Sequence, residues 1–275
     1  MEVSVKSPVR TGVPDRRSGN RESTAAKPTL VLQKALEVLD AFTLAAPELT
    51  LSEIRAAVGL PATTCGRLVQ NLSDEGLLDK VQDRYRISLS VLRWSAVALL
   101  GLGLVDRLTP VIELLRDRTG ESAAIFVPQA LNRTCVAVAP THHPVIWQLQ
   151  VGMSTPLHVG SGGRAILAFD SEATERILAG PRVALTDHTL VDADRLCDAL
   201  AVTRETGLAI SAEELDSGVA GVSAPVFGPA EGVVAAIGVA GPVQRFTEAD
   251  IADYCPAVLD AARVATQRMG GEFLW

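Results

Sequence analysis

Residues 50–76 constrain this chain more than any other stretch. Thr50-Leu51-Ser52-Glu53 is a capping box, in which the Thr50 hydroxyl accepts from the Glu53 amide and the Glu53 carboxylate reaches back, so a helix starts there. That helix is expected to bury Leu51, Ile54 and Val58 and to stop at Gly59, a residue suited to the left-handed conformation that ends helices. Only Leu60 separates it from Pro61, whose fixed φ suits the first turn of a second helix. The second helix sets Cys65, Leu68, Val69 and Leu72 on one face and ends at Gly76. Two short helices joined this tightly form a helix-turn-helix.

The outer face of the second helix carries Thr63, Thr64, Gly66, Arg67, Gln70 and Asn71, with no acid among them. All but the glycine can donate to phosphates or base edges. A plain helical hairpin could show such a face by chance, but the next segment favours DNA. Tyr85 and Ile87 alternate with Arg84 and Arg86 as a half-buried strand requires, and Val81 to Asp83 read as the tip of a β-hairpin. A hairpin after such a helix is a wing, with Lys80, Arg84 and Arg86 beside the groove. The expected DNA contacts are Pro61, Thr63, Thr64, Gly66, Arg67, Gln70, Lys80, Arg84 and Arg86.

Ahead of this unit, Leu30 to Phe42 is helical in pattern, with Leu32, Leu36, Leu39 and Phe42 in an i, i+3, i+4 rhythm. Residues 1–27 mix Ser, Pro and charges and read as a disordered tail. The chain has 275 residues and a net charge of −7, enough length for two domains. Residues 1–88 hold 12 Lys/Arg against 11 Asp/Glu, a net of +1, and the remainder nets −8. The near-neutral front can meet phosphates through a local patch, whereas the acidic back repels them. Cys65, Cys135, Cys197 and Cys255 form no C-x-x-C pair, so four buried thiols are expected rather than a zinc ribbon or disulfide framework. There is no secretory h-region, and the longest apolar run, Trp94 to Val105, is too short to span a bilayer. A cytoplasmic protein with no membrane partner is expected.

Residues 89–103 read as a linker helix. Leu89, Leu92, Ala96 and Leu99 keep helical spacing around Trp94, and so apolar a helix calls for a partner subunit. From residue 104 to 272 helices and strands are mixed. Helices are expected over Val111, Ile112, Leu114 and Leu115 up to Gly120, from near Gly163, from Asp194 to Thr206, and from the Thr247-Glu248-Ala249-Asp250 start. Strands are expected at Ala123–Val127, Thr134–Ala139, Ile146–Val151, Leu208–Ile210, Val222–Val226 and Val233–Val239. Short turns between neighbouring strands favour an antiparallel sheet flanked by helices. The fold class is therefore α+β in two domains.

Gly160-Ser161-Gly162-Gly163-Arg164 opens a helix with exposed amides and a positive dipole end, which favours a carboxylate, although close packing against a sheet would also call for glycines. The spacing fits neither a Walker loop nor a G-x-S-x-G elbow. Glu213, Glu214 and Asp216 form an acidic turn without a neighbouring histidine, which suits a solvated loop better than a metal site. No nucleophile–base pair, metal set or cofactor motif is expected. The competing class is a hydrolase or transferase using Ser161, His158 and an acid, with an incidental helix-turn-helix-like front end. A third is a DNA-binding scaffold whose second domain binds nothing.

From Leu30 to Leu92 the chain resembles the DNA-binding domain of IclR-type transcription regulators. The resemblance is carried by Gln33-Lys34-Ala35-Leu36-Glu37-Val38-Leu39, Leu51-Ser52-Glu53-Ile54, Gly59-Leu60-Pro61-Ala62-Thr63-Thr64-Cys65-Gly66-Arg67-Leu68, Glu75-Gly76-Leu77-Leu78 and Arg84-Tyr85-Arg86-Ile87. The rest resembles the family's GAF-like α/β effector-binding domain. There the carriers are Gly152-Met153-Ser154-Thr155-Pro156-Leu157-His158, Ser161-Gly162-Gly163-Arg164-Ala165-Ile166-Leu167-Ala168, Thr203 to Ala209, Glu213-Glu214, Ser223-Ala224-Pro225-Val226 and Gly241-Pro242. The resemblance implies a winged helix-turn-helix over residues 28–88 and an effector domain over 104–272. It implies a repressor of a double-stranded operator, acting as a homodimer or dimer of dimers and controlled by a small molecule. It also implies an effector pocket at Ser161, Gly162, Ser211, Gly221, Ser223, Gly238 and Ala240. The family often has Lys where Ala62 stands and His where Gly66 stands, so the operator cannot be carried over. Polar pocket positions of the family are here Gly238, Ala240, Ser211, Ala212 and Gly221. That leads to the expectation of an apolar, aromatic or branched acid, its carboxylate on the Ser161 and Gly162 amides.

Overall fold

The structure is a computed structural model that describes residues 30–43, 45–144, 149–230 and 232–275, with the helical backbone alone over residues 98–102. Two compact units divide the chain between Leu89 and Ser90. The tail expected over residues 1–27 lies outside the described residues.

In the first unit, α1 (Leu30–Asp40), α2 (Leu51–Val58) and α3 (Ala62–Asp74) surround a core of Val38, Ile54, Cys65, Leu68, Val69, Leu72, Leu78 and Tyr85. The capping box forms, with Glu53 N donating to Thr50 Oγ1 at 3.3 Å and Thr50 N to the Glu53 carboxylate at 2.7 Å. Gly59 closes α2 at φ 65°. Pro61 is the N-cap of α3 rather than part of its first turn. The wing strands β2 (Leu78–Val81) and β3 (Arg84–Ile87) turn on Gln82 and Asp83 alone. A third strand, β1 (Glu48–Thr50), pairs with β3 and had no signal in the sequence.

The α1 helix corrects one expectation. Leu32 and Leu36 point outward at 62% and 51% exposure, while Ala35, Val38, Leu39 and Phe42 pack inward. Both stripes are apolar, and contact with the helices that follow, above all α3, decides between them. Leu51 likewise stays 38% exposed while Ile54 is buried.

The second unit begins with α4 (Leu92–Leu102), which breaks at the left-handed Gly103, and α5 (Leu104–Thr119). Its sheet is antiparallel throughout, in the order β6-β5-β4-β9-β8-β7. The strands are β4 (Ser122–Gln129), β5 (Asn132–Ala139), β6 (Ser154–Pro156), β7 (Ala209–Ala212), β8 (Val219–Phe227) and β9 (Val233–Pro242). The α5 helix and the terminal α9 (Glu248–Met269) pack on one face through Leu108, Ile112, Leu115, Val258 and Ala262. The helices α6 (Gly160–Leu167), α7 (Ser171–Ala179) and α8 (Ala193–Thr206) cover the other through Ile166, Leu167, Ile177, Leu196 and Leu200. Successive residues of β9 alternate between the two cores, Ile237 and Val239 on the α5 side and Ala236 on the α6 side.

Several local expectations are corrected. Leu114 is 64% exposed, because Val111, Ile112 and Leu115 already form the inward stripe of α5. Of the strand expected at Ile146–Val151, residues 146–148 lie outside the described set and Leu149 to Val151 are not strand; β6 instead lies at Ser154–Pro156. The helix expected near Gly163 starts at Gly160. Cys197 is exposed and Cys255 only partly buried, so two of the four thiols are fully buried.

Candidate functional site

The outward face of α3 presents Thr63, Arg67, Gln70 and Asn71 to solvent, with Thr64 and Gly66 partly covered. No side chain caps the first turn, since Pro61 has none to offer, so the leading amides of α3 stay open for an acceptor. A Cβ at Gly66 would meet nothing within 4 Å. Arg67 makes no ion pair among the described residues, whereas Gln70 is held by Asp74 at 2.7 Å. The wing bases divide. Lys80 is exposed, with Nζ 5.5 Å from the centre of the Tyr85 ring. Arg84 bridges the Glu48 carbonyl at 3.2 Å and Glu53 at 3.4 Å. Arg86 lies 3.7 Å from Asp79 and 4.0 Å from Glu48. Both arginines flank β1, the strand that sequence reasoning missed, and are partly neutralised there. The free positive charge of the face is thus concentrated in Arg67 and Lys80.

The second unit holds a partly open cavity between the start of α6 and the sheet. All seven residues expected there line it: Ser161, Gly162, Ser211, Gly221, Ser223, Gly238 and Ala240. Small residues are required at several of these positions by the surroundings. A Cβ at Gly238 would stand 2.2 Å from Ser223 Oγ and 2.4 Å from the Val222 carbonyl, and one at Gly162 would stand 2.7 Å from the Phe126 ring. Ser161 and Ser223 share a hydrogen bond of 2.9 Å. Ala212, expected near the pocket, is exposed instead, because strand alternation turns Ser211 inward.

The start of α6, where a carboxylate was expected on the Ser161 and Gly162 amides, is partly filled by the protein itself. Gly160 N donates to Glu214 Oε2 at 3.1 Å and Ser161 N to Ser211 Oγ at 3.0 Å. Glu214 is buried and also bound by Arg164, whose second arm donates to the Ile210 carbonyl. The acidic turn therefore does not converge as a metal site would. Glu213 turns the other way, accepting from Gly218 N at 2.9 Å.

Sequence reasoning missed Phe126, Arg133, Leu149, Leu215 and Val219 in the lining. Arg133 is 4% exposed, with its guanidinium carbon 4.1 Å from the centre of the Phe126 ring. Burial lowers its pKa to about 10, so it remains charged at neutral pH. A readable signal did exist. The two-residue turn Ala130-Leu131 sets Phe126 opposite Cys135, which makes Arg133 its diagonal neighbour.

His158 turns Nε2 to the Val183 carbonyl at 3.1 Å, so that nitrogen carries the proton. Burial lowers its pKa below the usual histidine value. With Ser161 bonded to Ser223, the two do not form a nucleophile–base pair. Burial also pushes the Cys135 thiol up to about 12, which removes it as a nucleophile at neutral pH. No helix among the described residues is long and apolar enough to cross a membrane.

Comparison with known proteins adds to this geometry. Residues 31–82 match the IclR helix-turn-helix domain, and residues 96–266 match the C-terminal domain of bacterial transcriptional regulator IclR. The HTH-type transcriptional regulator BhcR of Paracoccus denitrificans is 28% identical, with 96% of this chain and 94% of that protein covered. A crystal structure from Silicibacter sp. TM1040, assigned as an IclR transcriptional regulator, superposes with a TM-score of 0.75 at 27% identity, over 89% of this chain and 98% of that one. An IclR homologue from Microbacterium hydrocarbonoxydans, crystallised in complex with 4-hydroxybenzoate, shares the fold with a TM-score of 0.71 at 21% identity, over 87% and 98% of the two chains.

Proposed function

The chain belongs to the IclR family of bacterial transcriptional regulators, and from that premise we propose that it is a cytoplasmic repressor, not an enzyme, that releases its operator when a small molecule fills the second unit. One observation carries the DNA side of this reading: the α3 face, uncapped at its start, with Arg67 in no ion pair among the described residues. An arginine in that position suits the bidentate contact to a guanine edge. Thr63, Thr64, Gly66 and Gln70 belong to the same face, and Lys80 of the wing suits the flanking phosphate. Arg84 and Arg86 serve mainly to fasten β1 to the wing.

On the effector side, the lining of small, apolar and hydroxyl-bearing residues supports an apolar organic acid. The Microbacterium neighbour's complex with 4-hydroxybenzoate supports an acid of that size as a guest for this fold. A homodimer or a dimer of dimers is supported by the linker region, where Leu89, Leu92, Trp94 and Val97 are 48–72% exposed. Such a surface is costly to leave in water. Two helix-turn-helix units on a two-fold axis then read a pseudo-palindrome.

Selection of bound fragments from random DNA by the full chain, with and without metabolite pools, tests the reading. Inverted repeats released by some pool are expected. Arg67→Ala should weaken the selected operator by roughly 1–3 kcal/mol and random DNA far less. Equal losses on both would reduce Arg67 to a phosphate contact. A monomer that sediments alone and binds a single half-site would overturn the dimer.

A further inference from the structure

Among the described residues five arginines of the second unit lie wholly or partly inside it, and Arg133 differs from the other four. Arg116 pairs with Asp117 at 2.8 Å, and Arg182 donates to the carbonyls of Ile177, Leu178, Gly180 and Val191. Arg245 is held by Glu121 at 2.5 and 2.8 Å, and Arg164 by Glu214. Arg133 has no carboxylate within reach among the described residues, and its buried Nε has no hydrogen-bond partner. Among the described residues its guanidinium rests on the face of Phe126. Burying a charge without a counter-ion is unfavourable. Arg133 is also the one charged residue in the cavity lining among the described residues, and its Nη2 lies 3.5 Å from where a Cβ on Gly160 would stand. The first two amides of α6, the other natural anion site, are filled by Glu214 and Ser211.

We propose that Arg133 is the anion anchor of the pocket, and that the effector is a small monocarboxylate held by this guanidinium with its apolar body against Phe126, Leu149, Gly238 and Ala240. This deepens the effector reading above and rests on it. The planar fork of Arg133 matches a carboxylate in two parallel hydrogen bonds. A second carboxylate on the ligand would find no second cation, because Arg164 is committed to Glu214. Phe126 keeps the guanidinium plane in place before the ligand arrives, so little order remains to be imposed on binding. The serine hydroxyls at 161, 211 and 223 leave room for one polar substituent on the body.

The test uses the full chain and two pairs of probes, benzoate with benzamide and 3-methylbutanoate with its amide, in calorimetry and thermal melting. Wild type is expected to bind at least one acid ten or more times tighter than its amide. Arg133→Met should lose that preference, with acid binding at least tenfold weaker and amide binding unchanged. Without ligand it should melt no lower than wild type, since it removes an uncompensated buried charge. Arg133→Lys keeps the charge but not the fork; it should fold as wild type and bind the acid several-fold more weakly. If Arg133→Met keeps the acid preference, the anchor is overturned while the effector reading survives. If Arg133→Met melts well below wild type and Arg133→Lys binds the acid as wild type does, Arg133 is structural and the proposal falls. If neither acids nor amides bind wild type at millimolar concentration, the monocarboxylate falls. If no metabolite pool changes melting or DNA affinity, the effector reading falls with it.

Discussion

The helices α3 and α6 begin alike and end up in opposite surroundings. Neither has a side-chain cap of its own, because Pro61 and Val159 stand at their N-cap positions. Each carries glycine on its working face. In α3 the glycine faces open space and the leading amides are free for a partner outside the molecule. In α6 all eight residues are buried, and other elements supply the acceptors for its first amides. A Cβ at Gly163 would stand 2.4 Å from the Leu157 carbonyl. Glycine in the first helix leaves a docking face flat, whereas in the second it permits close packing. An uncapped helix start is therefore an anion site only where the fold leaves it empty, and in the second unit the unanswered positive charge has moved to Arg133.

The strongest way to break this contrast is to vacate the α6 start. Glu214→Ala removes the acceptor of Gly160 N and strips Arg164 of its buried partner, which should destabilise the second unit by about 3–5 kcal/mol. If the carboxylate is what satisfies this site, millimolar acetate should restore part of the lost melting temperature in the variant and none in wild type. Unchanged stability would mean that the Glu214 contacts do not hold α6 in place.

A second test sets the glycines against each other. At Gly163 the obstacle is backbone and cannot step aside, so Gly163→Ala should cost roughly 3 kcal/mol, the upper end for overpacking. At Gly66 alanine meets nothing and favours the helix, so Gly66→Ala should stabilise the first unit by up to about 1 kcal/mol. The unfolding transition of each unit, followed separately, checks both. Similar losses in the two variants would dissolve the distinction between an open and a packed glycine.

What could be read in advance divides along the same line. The capping box at Thr50, the helix start at Thr247, the helix ends at Gly59 and Thr206 and the alternation around Tyr85 are local signals, and each is formed as the sequence implies. The inward stripe of α1 was not legible, because two apolar stripes compete and only contact with α2 and α3 decides. The ties of Arg84 to Glu48 and Glu53 were also hidden, since they span more than thirty positions. In the second unit the residues that line the cavity were legible through family resemblance. The occupant of the α6 amides was not, because Glu214 arrives from 54 positions away. Arg133 lay within reach of a register argument, but a lone charge near a turn reads as solvated until the partner strand is placed.

The smallest expected effect separates the two units by acid. All four histidines of the chain, at 142, 143, 158 and 188, lie in the second unit. Burial holds the pKa of His158 below its unfolded value near 6.5, with Arg182 adding to the shift and the Val183 and Glu214 contacts opposing it. A group depressed in this way contributes its full stability above the unfolded pKa and loses it as the pH falls through the folded one. The second unit should therefore begin to soften between pH 7 and 5. In the first unit the capping carboxylate of Glu53 is held below the ordinary glutamate value by its hydrogen bonds to Thr50, so its contribution is kept until the pH drops below about 4. His158→Gln keeps a donor for the Val183 carbonyl and removes the titration, so the second unit's melting temperature should fall less between pH 7 and 5 than in wild type. Identical pH slopes in the two proteins, or a first unit that melts earlier at pH 5 than at pH 7 by as much as the second, would show that His158 does not set this difference.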